Sequence, residues 1–454
     1  MFFQSLLPRP EIGANSYLLD LDGVRVILDA GMHPSHEGTA ALPNYELVPF
    51  DTADAVVISH AHHDHIGTLP VLQRRQPSAR VMMTEATLQL GNVMLHNSVN
   101  VMCSQREELG IIEYPFFTHR EIDELQPRWE TCALRRPVEI GGITCEFYDA
   151  GHILGSVGAL FHTHGETIFY TGDINFDDQS ISCAAAFPQE KIGTLIIETT
   201  RGNIPRRPGY TRADEAGRLA SAIRETMRAG GSVLMPVFAL GKTQELLMVL
   251  HDLRCRGDIP AVPTFIGGLS LKVAKVYDDL ADQSRRQKPG FRLLENLPEL
   301  QISMRPKKGQ PRAPVRYQPR AIFALSSGMM TENTLSNDFA FQLVENPANS
   351  LLFVGYVDSK SPAGKLKATP HGAPLTLHQK RAPVALNCRV ESFDFSGHSD
   401  REAIRRYANQ VQPRRILLVH GDAPSLQWFE QTLRSDLPAC DVKIAPAGEM
   451  VAID

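Results

Sequence analysis

The chain has 454 residues, 43% of them hydrophobic and 21% charged, an ordinary globular composition with apolar surface for two or three domain-sized cores. No run approaches the roughly 18 apolar residues of a membrane span, and the first residues lack a basic segment followed by an apolar one, so neither a membrane span nor a secretory leader is expected. Seven scattered cysteines, never spaced C-x-x-C, exclude a disulfide framework and a cysteine-based structural zinc site, and fit a cytoplasmic protein. The net charge of −5 conceals an asymmetry: Arg201–Arg320 carries 22 Lys+Arg against 11 Asp+Glu, a balance of +11, which leaves −16 for the rest. The excess peaks at 285–320, where Arg305, Lys307, Lys308, Arg312, Arg316 and Arg320 lie among prolines. Such a stretch reads as a polyanion-binding surface or as a solvated basic loop.

In chain order, residues 13–31 read as two strands joined by a Leu-Asp-Leu-Asp-Gly turn, and 54–59 as a buried strand. Helices follow at 68–75 and 85–105, then strands at 142–148, 157–162, 167–170 and 194–198. After Thr200 the pattern alternates. Helices are expected at 214–229, 241–254 and 269–280, and strands at 232–237, 264–266, 321–325 and 350–355, the signature of a parallel, doubly wound α/β lobe. From about residue 380 the first style returns, with strands at 384–392 and 416–419 and helices at 400–410 and 425–433. The pattern predicts one domain split by an inserted second: 1–203, then an insert at 204–378, then a completing part at 379–454.

The strand at 54–59 delivers His60-Ala61-His62-His63-Asp64-His65, five metal-competent side chains within six residues. His60 and His62 alternate in an extended loop and can face one metal; Asp64 and His65 point elsewhere and suit a second. Four more apolar strands end in an acidic or metal-competent residue close to a glycine: Asp29-Ala30-Gly31, Asp149-Ala150-Gly151-His152, Thr171-Gly172-Asp173 and His420-Gly421-Asp422. If these ends converge, one metal takes His60, His62, His152 and Asp173. The other takes Asp64, His65, His420 and the shared Asp173, at the separation of about 3.5–4 Å used by two-metal hydrolases. Imidazole with carboxylate favours two Zn²⁺ per chain, with Mn²⁺ as the alternative. His63 is expected to face solvent, and His96 and His119 are not expected to be ligands.

The order Asp29, His60-x-His62-x-Asp64-His65, His152, Asp173 resembles the metallo-β-lactamase superfamily. Ile197-Glu198-Thr199-Thr200, Phe395-Ser396-Gly397-His398-Ser399-Asp400 and Leu418-Val419-His420-Gly421-Asp422 resemble the later motifs of its β-CASP nuclease family. The segments 235–246 and 326–330 look like the inserted β-CASP lobe. Three departures fall in or beside that lobe: Lys242 where Arg is usual, Arg201 after the acidic motif where Tyr is usual, and no Gly-Thr in the segment begun by Gly355-Tyr356. The resemblance implies an αββα sandwich carrying an inserted β-CASP domain. It also implies a zinc-dependent nuclease in which Asp64 ligates at the catalytic centre, His398 protonates the leaving oxygen, Glu198 orients His398 and Asp29 holds a ligand histidine. Lys242 and the Ser326-Ser327-Gly328 backbone are candidates for substrate phosphates. The expected substrate is single-stranded RNA, alternatively single-stranded DNA, with a homodimer as a candidate assembly. A hydroxide between the metals would attack phosphorus in line and leave a 5′-phosphate and a 3′-hydroxyl. Endonuclease and exonuclease action both remain open. A catalytically silent binding subunit would need broken ligands, and none is broken.

Overall fold

In the computed structural model, residues 1–163, 165–303 and 317–454 are described; the basic residues Arg305, Lys307, Lys308, Arg312 and Arg316 lie outside them. Among the described residues, two seven-stranded sheets organise one unit (Met1–Asp178, Cys183–Arg206 and His398–Asp454). In the first, the strands run Met450–Ala452, Phe2–Ser5, Tyr17–Leu21, Val24–Leu28, Ala55–Val57, Arg80–Met83 and Trp129–Thr131. The second runs Asp441–Ile444, Arg415–Val419, Thr194–Glu198, Thr167–Tyr170, Val157–His162, Ile143–Asp149 and Val138–Ile140.

Successive side chains of a strand point to opposite faces, so a strand covered on both sides must be apolar throughout. Val26 and Leu28 face the other sheet while Ile27 faces the outer helices; Ile196 and Leu417 face inward, whereas Leu195, Ile197, Ile416 and Leu418 face out. Helices Leu69–Arg75, Glu85–Leu109 and His119–Leu125 cover the first sheet, and Arg401–Val411 and Ala423–Asp436 the second, giving the four-layer αββα sandwich. The long helix starts on Thr84, whose hydroxyl accepts from Thr87 N, and stops at Gly110 with φ 72°.

The second unit comprises Gln179–Ser182 and Arg207–Gly397. Among the described residues, its main sheet has six strands, all parallel, in the order Leu300–Ser303, Thr264–Gly267, Ile322–Leu325, Val233–Pro236, Ser350–Phe353, Arg389–Ser392. The central strands are buried at every residue, as a sheet with helices on both faces demands. The single strand expected at 384–392 is two. Val384–Ala385 pairs antiparallel with Pro374–Leu375, and Arg389–Ser392 joins the parallel sheet, so residues up to Gly397 belong to the second unit rather than to the completing part.

Candidate metal centre and catalytic pair

Strand ends of the αββα unit converge on one point. Asp29 follows Leu28 with φ 59°, and His420 follows Val419 with φ 49°; each turns sharply out of its strand. Gly172 has φ 55°, and a Cβ there would stand 2.9 Å from Ser59 Cβ. At Gly31 a Cβ would lie 1.8 Å from the Asp64 carbonyl, so glycine lets the 29–33 backbone lie directly against the metal loop.

His62 Nδ1 lies 3.1 Å from both His60 Nε2 and His152 Nε2, and those two nitrogens each lie 3.6 Å from Asp173 Oδ2. Around the second point, Asp173 Oδ1 is 3.5 Å from His65 Nε2 and 3.2 Å from His420 Nδ1, while Asp64 Oδ2 is 3.4 Å from His420 Nε2. A tetrahedral Zn²⁺ with bonds of about 2.0–2.1 Å sets its ligands about 3.3 Å apart. The structure therefore has ligand spacing for the ion at His60, His62, His152 and Asp173, with Asp64, His65 and His420 adjoining. Asp173 Oδ1 is buried without a hydrogen-bond partner, which leaves it available to a cation.

The charges fit the same reading. Burial, helped by His65, holds His60 well below the ordinary imidazole value, and burial also lowers His62; both are therefore neutral donors. Burial works to raise Asp173, but His420, His65 and His398 hold it well below the usual carboxylate range. His65 is pushed well above its ordinary value because Asp173, Asp29 and Asp64 outweigh burial; this surplus of negative charge is what a cation would neutralise.

A further layer of contacts aims the ligands. Asp29 accepts from Ser59 N at 2.7 Å, Ser59 Oγ at 2.8 Å and Tyr170 OH at 2.6 Å, and its Oδ2 lies 2.7 Å from His65 Nδ1. That contact fixes the His65 tautomer and leaves Nε2 for a metal. His60 Nδ1 meets Ser59 Oγ at 3.0 Å, with the same effect. Asn15 Nδ2 donates to the Asp64 carbonyl at 3.0 Å and lies 3.2 Å from His65 Nε2. Ser59, Tyr170 and Asn15 were not singled out in the sequence. Ser59 was recoverable as the last residue before the histidine loop; the other two carry no local signal.

Beside the metal ligands stands a second pair. His398 Nδ1 is 3.0 Å from Glu198 Oε1, and His398 Nε2 is 3.9 Å from Asp173 Oδ2. Buried Glu198 also accepts from Ile174 N at 2.7 Å and Thr200 N at 3.2 Å, which locks its carboxylate. Burial lowers His398, but Glu198 and Asp173 raise it further, so the net shift is upward, toward a proton-carrying ring.

His63 does not face solvent as expected. It is half-buried, with Nδ1 3.2 Å from Ser98 Oγ of the long helix, because the turn His63–Ile66 packs against that helix. His96 and His119 lie away from the cluster, 2.8 Å apart through their Nδ1 atoms.

Three family models match in tandem: the metallo-β-lactamase superfamily over residues 9–215, the Beta-Casp domain over 243–366, and the Zn-dependent metallo-hydrolase RNA specificity domain over 383–445. The matches thus give the chain a metallo-β-lactamase domain, a Beta-Casp domain and an RNA specificity domain. It is 27% identical to Endoribonuclease YSH1 of Eremothecium gossypii over 98% of its own length and 58% of that protein. It is 28% identical to Cleavage and polyadenylation specificity factor 73 of Drosophila melanogaster, over 98% of itself and 64% of that protein. The chain thus spans about three fifths of the relatives it matches. A solved structure of a protein of unknown function from Enterococcus faecalis V583 shares the fold, with TM-score 0.56 at 13% identity and 99% of each chain covered.

The expected substrate contacts lie in the β-CASP domain, at the carboxyl edge of its sheet. Lys242 opens the helix Lys242–Cys255, and its ammonium donates to the Phe395 carbonyl. Ser326, Ser327 and Gly328 follow the strand Ile322–Leu325; the Ser327 hydroxyl accepts from Thr331 N at 3.2 Å. Lys242 therefore has a structural contact that the sequence did not predict.

Proposed function

We propose that the protein is an endoribonuclease that hydrolyses phosphodiesters of single-stranded RNA, leaving a 5′-phosphate and a 3′-hydroxyl, with two zinc ions at His60, His62, His152, Asp173, Asp64, His65 and His420. The observation that carries this reading is the Glu198–His398 pair beside Asp173. Lactamase-type chemistry has no use for an imidazole held by its own buried carboxylate at the edge of the ligand set. A phosphodiester hydrolase needs an acid for the leaving oxygen. The names of the relatives and of the model over residues 383–445 favour RNA over DNA.

Bound there, the zinc ions would supply Lewis acidity that ionises a water at neutral pH and offsets charge on the phosphoryl oxygens. The chain's residues do the rest. Asp29, Ser59 and Tyr170 hold the ligand imidazoles in their tautomers. Glu198 keeps the Nδ1 proton of His398 and stabilises the imidazolium form. His398 then gives its Nε2 proton to the departing 3′-oxygen. The backbone at Ser326-Ser327-Gly328 offers contacts for substrate phosphates.

The test uses matched 5′-labelled single-stranded RNA and DNA of one sequence, with zinc, with chelator, and with Asp64→Ala. Internal RNA cuts by the zinc-loaded wild type alone support the proposal. Preferred cutting of DNA, or no cutting of RNA by protein with filled zinc sites, overturns it.

A further inference from the structure

The β-CASP sheet sends its chain away in opposite directions from two neighbouring strands. From Val233–Pro236 the chain passes through the helix Lys242–Cys255 to Thr264–Gly267 on one side of the strand order. From the adjacent, parallel Ser350–Phe353 it passes through Pro362–Ala368 to Arg389–Ser392 on the other side. Such a reversal opens a crevice at the carboxyl ends of the two strands, where parallel sheets bind their ligands.

Each of these strands releases one exposed aromatic ring at that edge. Phe238 stands two residues past Pro236 and is 41% exposed, between Val237 at 1% and Ala239 at 8%. Tyr356 stands three residues past Phe353 and is 49% exposed, after Val354 at 2%. A single exposed aromatic is unremarkable. Two, leaving adjacent strands at a reversal point, are a different matter. The backbone that presents each ring is closely packed. The Phe238 carbonyl accepts from Thr243 N at 3.1 Å and Thr243 Oγ1 at 2.7 Å. A Cβ on Gly328 would lie 3.2 Å from the Phe238 ring, so the glycine turn lies flat against that ring. A Cβ on Gly355 would lie 3.4 Å from Lys242 Cε, which runs the lysine stem alongside the backbone that presents Tyr356. Exposed Lys360, Lys365 and Lys367 follow Tyr356 in the chain.

We propose that Phe238 and Tyr356 form a stacking platform for unpaired bases of the RNA substrate at the carboxyl edge of the β-CASP sheet. The inference rests on the ribonuclease reading and gives its single-stranded substrate a subsite for bases free of partners. Rings stack on any base, lysines follow the phosphates, and a duplex offers neither ring an open base face. The platform therefore binds without reading sequence.

The experiment compares zinc-loaded wild type with Phe238→Ala, Tyr356→Ala, Phe238→Tyr and Tyr356→Phe. Three readouts are taken: affinity for a fluorescent oligouridylate across a salt series, KM and kcat for its cleavage, and hydrolysis of bis(p-nitrophenyl) phosphate. The platform requires each alanine variant to lose roughly tenfold in affinity, with KM rising to match. It also requires an unchanged slope of affinity against salt, because no phosphate contact is removed. Hydrolysis of the small diester stays as in the wild type, and the Tyr and Phe variants bind like it. Unchanged oligouridylate affinity in both alanine variants overturns the platform while leaving the ribonuclease reading intact. A changed salt slope also overturns it, since the rings would then act through charge. Wild type that hydrolyses the small diester but neither binds nor cuts the RNA overturns the ribonuclease reading, and the platform falls with it.

Discussion

His398 sits where loss of one side chain separates chemistry from metal binding. Its ring touches Glu198 at 3.0 Å but belongs to none of the ligand groups at the metal points. His398→Ala is expected to keep its zinc content while RNA cleavage falls by about 10²–10⁴-fold, the usual worth of a general acid; elemental analysis beside the cleavage rate checks this. Loss of zinc in that variant would make His398 a ligand. Tyr170→Phe removes a buried donor to Asp29, loosens the grip on His65, and should weaken zinc binding about tenfold in a chelator competition. The clustering of the candidate ligands was legible because metal chemistry confines itself to few residue types and the loop at 60–65 concentrates four of them. Tyr170 and Asn15 were not legible, because a buried tyrosine on an apolar strand looks like any core residue until the strand beside it is known. His63 was misread for a related reason: its partner Ser98 is far along the chain.

Among the elements, the helix Lys242–Cys255 carries a charge that ties the β-CASP domain together. Buried Glu245 pairs with Arg212 and accepts from Ser180 N at 2.7 Å and Ile181 N at 3.0 Å. Burial works to raise its carboxyl, yet Arg212 and the Ser180 amide prevail and hold it below its ordinary value of about 4.5. A depressed carboxyl stabilises the fold above its unfolded value. That stability is lost as pH falls from about 4.5 through the folded value. Glu245→Gln should cost about 2–4 kcal/mol at pH 7. The difference between variant and wild type should shrink as pH drops below about 4.5, read from urea melts at several pH values. Central elements were legible because burial on both faces makes strands such as Ile322–Leu325 uniformly apolar. Short strands at or beside the sheet edges, such as Phe2–Ser5, Trp129–Thr131 and Met450–Ala452, were not, since short strands paired with distant segments carry too little periodicity. The split of 384–392 escaped for the same reason: its two halves pair with different sheets.

For the whole molecule, the metal points join distant chain segments, with ligands running from His60 to His420 within one unit. Zinc held only by the folded state should stabilise that unit by about 2.7 kcal/mol at a hundred times its dissociation constant. Chelator is therefore expected to lower the melting temperature of the αββα unit and leave the β-CASP transition in place. Calorimetry with and without chelator checks this, and two transitions shifting equally would count against a site confined to one unit. The division into a split domain and an insert was legible because the sequence style changes after Thr200 and returns near the end. The exact seam was not, because Arg389–Ser392 adds to the insert's sheet by backbone pairing.

The pairing of Thr194–Glu198 with Arg415–Val419 sets an order in time as well as in space. A ribosome making this chain delivers His60 through Asp173 early, then spends the whole of the β-CASP insert before His398 and His420 emerge. Until then the second sheet lacks the strand beside Thr194–Glu198, Glu198 has no imidazole to hold, and the ligand set is incomplete. On the proposed ribonuclease reading, the growing polypeptide cannot cut RNA until Arg415–Val419 and His420 have been made.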